Sequence, residues 1–134
     1  MFERWAEGGL MDVLGNNGVG CIPFSPLAQG LLSDKYLSGN IPQQSRAAKS
    51  HGALQTEAIT SEILRQINAL NDIATKRNQS LAQMAIAWLL KDKRVTTVLV
   101  GVSTVEQLHN NLGSLNNLNF NKEELVEIEN ILTN

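Results

Sequence analysis

Two short stretches of this 134-residue chain carry the residue types that hold phosphate: Phe24-Ser25-Pro26-Leu27-Ala28-Gln29-Gly30 and Gly101-Val102-Ser103-Thr104-Val105-Glu106-Gln107. Each follows an apolar or β-branched run, and the second opens a helical pattern. A strand ending on glycine, with serine at the next helix N-terminus, turns backbone N–H groups and the positive end of the helix dipole toward one point. That arrangement favours an anion. Gly101 admits close backbone approach, while Ser103 caps its helix or donates to a bound phosphate. Gln107 and Asn111 stand one turn apart on the same helix face. Lys35, Arg46 and Lys49 add cations in the loop after the first stretch. The plainer reading of Ser25-Pro26 is a strand-to-loop turn with proline at a turn position.

Other chemistry lacks its partners. Tyr36 is the single tyrosine and reads as a loop anchor. His51 falls in the loop and His109 on a helix flank, neither with a carboxylate–lysine set, and Asp12, Asp34, Asp72 and Asp92 are scattered. No catalytic set and no metal-ligand cluster emerges. Cys21 is the single cysteine, which excludes an internal disulfide and a zinc knuckle and fits a reducing, cytosolic compartment. There is no glycine-rich loop of the Rossmann or P-loop type. A net charge of −2 points away from nucleic acid and from anionic membranes. Hydrophobic residues at 43% indicate a globular chain, and the longest apolar run, Met84 to Leu90, is too short to span a bilayer. Met1-Phe2-Glu3-Arg4 carries no signal-peptide pattern.

The elements that must position the two stretches follow from periodicity. Residues 3–14 suit a helix weakened at Gly8-Gly9 and ended by Gly15-Asn16-Asn17-Gly18. Val19 to Phe24 suits a buried strand. Residues 33–58 are loop-like. Ile59, Ile63, Ile67, Leu70 and Ala74 fall at helical spacing. Ser80 with Gln83 forms a capping box for a helix from Leu81 to Lys91 that is apolar on nearly every face, as buried helices are. Val95 to Val100 reads as a second strand. Ser103 with Glu106 is the next capping box, opening a helix with Val105, Leu108 and Leu112 on one face. Asn121 with Glu124 repeats the pattern, with Leu125, Ile128 and Ile131 inward. Trp5 and Trp88 are expected in the wall of the fold.

Alternating strands and helices indicate an α/β architecture with about two parallel strands. Two parallel strands cannot close a sheet, and each keeps an open edge. The chain therefore reads as part of a larger α/β body, or as one that must pair with something.

The motifs also carry a resemblance. Phe24-Ser25-Pro26-Leu27-Ala28-Gln29-Gly30-Leu31-Leu32, followed by Lys35-Tyr36, resembles the seventh-strand segment of the aldo-keto reductases. Gln83-Met84-Ala85-Ile86-Ala87-Trp88-Leu89-Leu90, then Val95 to Gly101, Ser103, Glu106-Gln107-Leu108 and Asn110-Asn111, resembles their eighth strand and its helix. Ser45-Arg46 after Pro42 fits the branch that holds bacterial L-glyceraldehyde 3-phosphate reductases and potassium-channel β subunits. The resemblance implies the C-terminal part of a (β/α)8 barrel, which when complete takes about 250 residues. Residues 1–134 would then be one partial domain: helix 6 region, strand 7, cofactor loop 33–58, helix 7 region, strand 8, helix 8 and a C-terminal helix.

The resemblance further implies NADP(H). Ser25, Pro26, Leu27, Ala28, Gln29 and Gly30 would line the pyrophosphate, and Lys35 and Arg46 would reach the phosphates or adenine. Gly101, Ser103, Gln107, Asn110 and Asn111 would hold the adenosine end. The lysine and arginine that commonly hold the 2′-phosphate are replaced here by uncharged residues or Glu106, which shifts that task to Arg46. The family's catalytic Asp, Tyr, Lys and His lie on earlier strands. The complete enzyme would reduce a small aldehyde, with glyceraldehyde 3-phosphate or methylglyoxal implied. Two readings stand: a cofactor-binding section paired with an N-terminal part, or a non-catalytic module that self-associates.

Overall fold

The computed structural model describes residues 1–43, 45–48 and 54–133; Lys49 and His51 lie outside the described residues, as does the side chain of Arg46. Helices dominate. In chain order they are α1 (Leu10–Asn16), α2 (Ser61–Lys76), α3 (Leu81–Leu90), α4 (Val105–Leu112) and α5 (Lys122–Thr133).

The core forms where α2 and α3 meet. α2 starts as Thr60 Oγ1 accepts the Ile63 N–H at 3.2 Å, which satisfies one of the donors that a helix start leaves free. Its apolar stripe of Ile67, Leu70, Ile73 and Ala74 is buried. The helix stops in a Schellman turn. Asn78 takes a left-handed φ of 55°, the Gln79 N–H donates to Ala74 O at 2.9 Å, and the Asn78 N–H donates to Thr75 O at 3.0 Å. The expected capping box then opens α3. Ser80 Oγ accepts the Gln83 N–H, and Gln83 Oε1 accepts the Ser80 N–H. The α3 residues Met84, Ala85 and Ala87 are fully buried, as an all-round apolar helix requires. α2 lies between α3 and α5, while α4 and the 3₁₀ turn Gly113–Asn116 flank α3.

Arg77 locks the C-terminal helix to this core. Its guanidinium donates to Gln79 Oε1 (2.9 Å), Asn119 O (2.9 Å), Asn117 O (3.3 Å) and Glu124 Oε2 (2.7 Å). It also stacks 3.7 Å from the centre of the Phe120 ring. Buried charge is tolerated only with such satisfaction. Glu124 completes the expected α5 cap, since its carboxylate accepts the Asn121 N–H while Asn121 Oδ1 accepts the Glu124 N–H. Ile128 is buried as expected, whereas Leu125 is exposed.

The strands are the main departure from the α/β expectation. Among the described residues the predicted strands Val19–Phe24 and Val95–Val100 meet in one isolated parallel bridge, Cys21 to Val95. Three backbone hydrogen bonds support it: Cys21 N–H to Arg94 O (3.0 Å), Thr96 N–H to Cys21 O (2.9 Å) and Leu99 N–H to Pro23 O (3.1 Å). The parallel direction is as expected, but no ladder extends. The reason is physical: a two-segment parallel pair has two open edges and uncovered faces, and here Ile22 and Phe24 are 61% and 78% exposed. Close approach of the segments requires glycine, because a Cβ at Gly20 would collide with Thr96 Oγ1.

Three smaller corrections follow. The helix expected over 3–14 is split into a 3₁₀ turn, Trp5–Glu7, and α1, with Gly9 at φ 120° between them. Trp5 is exposed rather than packed, while Trp88 is buried under the Arg4 guanidinium and the Lys91 ammonium. The loop over 33–58 contains 3₁₀ turns at Asp34–Tyr36, Arg46–Ala48 and Thr56–Ala58.

Candidate functional site

A cleft of about 860 Å³ opens between the two phosphate-type stretches. Such a volume is ordinary for a small-molecule or cofactor site. The first stretch contributes Ser25, Pro26, Leu27, Gln29, Gly30 and, from the following turn, Lys35; the second contributes Gly101, Ser103, Gln107, Asn110 and Asn111. Of the sequence-derived candidates, Ala28 does not line the cleft, and the Arg46 side chain lies outside what is described.

The first stretch is a tightly wound turn. Ser25, Ala28 and Gln29 take left-handed φ of 51°, 46° and 61°, and Gly30 follows at 104°. Non-glycine residues enter this region at a cost, and such strain concentrates at functional sites. The turn is held by Ala28 N–H to Ser25 O (3.0 Å), Gly30 N–H to Leu27 O (2.8 Å) and Leu32 N–H to Leu27 O (3.1 Å). Gln29 Nε2 donates to Ser25 Oγ at 3.0 Å.

The second stretch opens α4, but its cap is one residue later than the spacing predicts. Thr104, not Ser103, is the N-cap: its Oγ1 accepts the Gln107 N–H at 3.2 Å, and Gln107 Oε1 accepts the Ser103 N–H at 2.9 Å. Ser103 and Thr104 are both capping types, and each has a Glu or Gln three residues on. Ser103 keeps its hydroxyl out of the cap and is exposed. The Glu106 carboxyl is held below its usual range by its own backbone N–H and by the Thr104 hydroxyl, as a carboxylate at a helix start should be.

Two helix N-termini border the cleft. Sequence reasoning singled out α4; α3 contributes as well, through Ser80, Leu81 and Ala82. Asn110 ties them together: it exchanges hydrogen bonds with Ser80 Oγ (3.2 and 3.3 Å), and its carbonyl accepts from Gln83 Nε2 at 2.9 Å. Asn111 sits beside it, buried at 7% exposure. Asn71 from α2 and Tyr36 from the loop also line the cleft. Tyr36 stands in the first motif as Lys35-Tyr36 but reads there as a loop anchor, Asn71 stands in no motif, and the Ser80–Gln83 box points to the α3 end.

The charges in the cleft are mixed. Lys35 is the cation among the described lining residues, with Asp34 and Glu106 as anions. Among the described residues no group of three or more His, Cys, Asp or Glu could hold a metal ion, and no helix is long and apolar enough to cross a membrane.

Comparison with known proteins matches nearly the whole chain. The chain is 51% identical over 133 residues to the L-glyceraldehyde 3-phosphate reductase of Escherichia coli O157:H7, covering 96% of this chain and 38% of that protein. The protein of the same name from Escherichia coli K12 is 50% identical over the same shares. The probable voltage-gated potassium channel subunit beta of Oryza sativa subsp. japonica is 34% identical over 129 residues, 95% of this chain and 39% of that protein. The chain thus spans about two-fifths of the length of these curated relatives, and they are the branch that the motifs pointed to. The sequence profile described as the Aldo/keto reductase family matches residues 1–133, and the chain belongs to that family.

Proposed function

We propose that this chain is the cofactor-binding C-terminal section of an NADP(H)-dependent aldo-keto reductase, one partial domain of a (β/α)8 barrel. The observation that carries the reading is convergence: two stretches some 75 residues apart, by their numbers in the sequence, line one cleft bordered by two helix N-termini. Dipole ends and a strained, glycine-terminated turn suit phosphate oxygens. Ser25, Leu27 and Gly30 with Lys35 would take the pyrophosphate. Ser103, Gln107 and Asn111 would take the adenosine end, with Asn110 holding α3 and α4 in register and Arg46 supplying charge for a 2′-phosphate.

When bound, the reduced nicotinamide supplies a hydride. The residues of this chain bind and orient; the proton donor and its carboxylate and lysine partners belong to the N-terminal part of the barrel. The relatives named as L-glyceraldehyde 3-phosphate reductases support a small, phosphate-bearing aldehyde as substrate of the complete enzyme. Pairing with that N-terminal part is supported by the uncovered apolar residues of the bridge segments and of α4, where Phe24, Leu99, Val105 and Leu112 are all more than half exposed. The same surface supports the second reading, self-association as a non-catalytic module, in keeping with relatives named as channel subunits.

The test is an NADPH titration of the purified chain, followed by nicotinamide and tryptophan fluorescence. Saturable binding that Ser103→Ala and Arg46→Ala each weaken several-fold is the expected result. A folded chain with no affinity for NADPH or NADP would refute the reading.

A further inference from the structure

Asn71 is half-buried on α2 and lines the cleft, yet it stands in no motif. Its side-chain amide makes no hydrogen bond with the described residues. Only its backbone carbonyl is engaged, accepting from Thr75 Oγ1 at 2.9 Å.

The residue one turn earlier gives the contrast and the orientation. Asn68 spends its amide inside the chain, with Nδ2 donating to Leu37 O at 3.1 Å and Leu64 O at 2.9 Å. Those bonds lay this face of α2 against the loop that runs on from the turn Asp34–Tyr36. Leu64 Cδ1 confirms the approach, standing 3.7 Å from where a Cβ at Gly39 would be. Residues 64, 68, 71 and 75 share one helix face, so Asn71 is turned toward the same loop. Asp34 and Lys35 of that loop belong to the cleft wall, as Asn71 does.

The chemistry of the neighbouring wall narrows what a free amide could take. At the α4 end the lining is uncharged: Gln107, Asn110 and Asn111. Gln107 Oε1 is committed to the Ser103 N–H, and the Asn110 amide to Ser80 Oγ. Asn71 keeps both its acceptor and its donors unspent. A phosphate would use only the donors, because its oxygens accept. A heterocycle edge that sets an amino group beside a ring nitrogen uses both, and adenine offers that edge at N6 and N7.

We propose that Asn71 reads the adenine of the bound dinucleotide, Oδ1 accepting from the N6 amino group and Nδ2 donating to N7. This rests on the cofactor reading above and deepens it: a residue outside both phosphate-type stretches selects the base. Hypoxanthine carries a carbonyl in place of the amino group. It would set two acceptors, O6 and N7, against the amide, and Oδ1 would face one of them whichever way the amide is turned.

The test titrates NADPH and its hypoxanthine counterpart, reduced nicotinamide hypoxanthine dinucleotide phosphate, into the wild-type chain, Asn71→Ala and Asn71→Leu. The two affinities are compared within each protein, so a partly folded variant does not distort their ratio. The wild-type chain is expected to bind NADPH roughly tenfold tighter than the hypoxanthine form, the effect of one amide–base pair. In both variants weaker NADPH binding should remove that preference. A wild-type chain that binds the two alike, or variants that keep the wild-type ratio, would overturn the role of Asn71 while leaving the cofactor reading intact. Variants that bind neither dinucleotide would overturn it too, by marking Asn71 as a support of the fold rather than a reader of the base. Absence of saturable binding of either dinucleotide by the wild-type chain would overturn the cofactor reading itself.

Discussion

Met84 on α3 and Leu108 on α4 are both aliphatic residues at helical spacing, yet Met84 is fully buried and Leu108 is 40% exposed. The contrast extends to their surroundings. Around α3 most apolar residues are buried, between α2, α4 and the Gly113–Asn116 turn. Around α4 and the Cys21–Val95 bridge the apolar residues face outward, while their polar neighbours line the cleft. The difference teaches that the chain holds a self-sufficient helical half and a second half whose shape is borrowed from that support. The cleft lies along the boundary: its walls are α3, α4 and the strained turn before Leu31.

The largest effect is expected in the helical half. Leu70→Ala removes a fully buried side chain and should cost about 2–5 kcal/mol, read by urea unfolding. Arg77→Ala leaves the Asn119 carbonyl without the Arg77 donor, and leaves the Asn117 carbonyl with only Gln79 Nε2 and the Glu124 carboxylate with only the Asn121 N–H. That should cost about 3 kcal/mol, and Arg77→Lys should recover only part of it, since an ammonium cannot reproduce the planar fork. A loss below ~0.5 kcal/mol for either alanine variant would break the claim that this half is independently packed.

The junction between the halves is sensitive to acid. Asp92 accepts the Arg94 Nε–H, shared between its two oxygens, Nη2 at 2.6 Å and the Arg94 backbone N–H, and Arg94 also pairs with Asp12 of α1. The side-chain bonds from Arg94 are the main reason that the Asp92 carboxyl is held down at about 2. A carboxyl with a depressed folded pKa contributes stability above its unfolded value of about 4, and that contribution is lost as pH falls toward the folded one. Melting temperature should therefore decline between about pH 4 and pH 2, and Asp92→Asn should flatten that part of the profile. An unchanged slope in the variant would remove Asp92 from the account.

The smallest effect belongs to the open half. Leu108→Gln on the exposed face of α4 should change the stability of the isolated chain by no more than ~0.5 kcal/mol. Were the chain to self-associate through this face, the same substitution would shift its apparent mass in analytical ultracentrifugation toward a monomer. A destabilisation as large as that of Leu70→Ala would show that α4 is packed after all and erase the contrast.

Much of the helical half was legible in the sequence because its determinants are local. The stripe from Ile59 to Ala74, the Ser80–Gln83 box and the Asn121–Glu124 pair each act within a turn or two of chain, and the structure carries all three, except that Ile59 falls before the Thr60 cap of α2. The Arg77 lock was not legible, since all its acceptors but Gln79 lie some 40 or more residues downstream. The left-handed turn at Asn78 is not legible for a different reason: asparagine permits that geometry without requiring it. The strands do not extend because β-branched runs report suitability for a buried sheet, and here Ile22, Phe24 and Leu99 stay exposed. In the cleft, the two motif stretches were visible. Tyr36, Asn71 and Ser80 were not, because only the folding of α2 and α3 against the loop brings them there.

Hydrogen–deuterium exchange of this chain with and without NADPH tests the central claim most directly. The account predicts added protection at residues 24–30 and 101–111, with the amides of α2 and α5 unchanged, because their bonds are already closed in the free protein. Saturating NADPH that leaves both stretches exchanging as before, or protects only the exposed face of α4 instead, would contradict it.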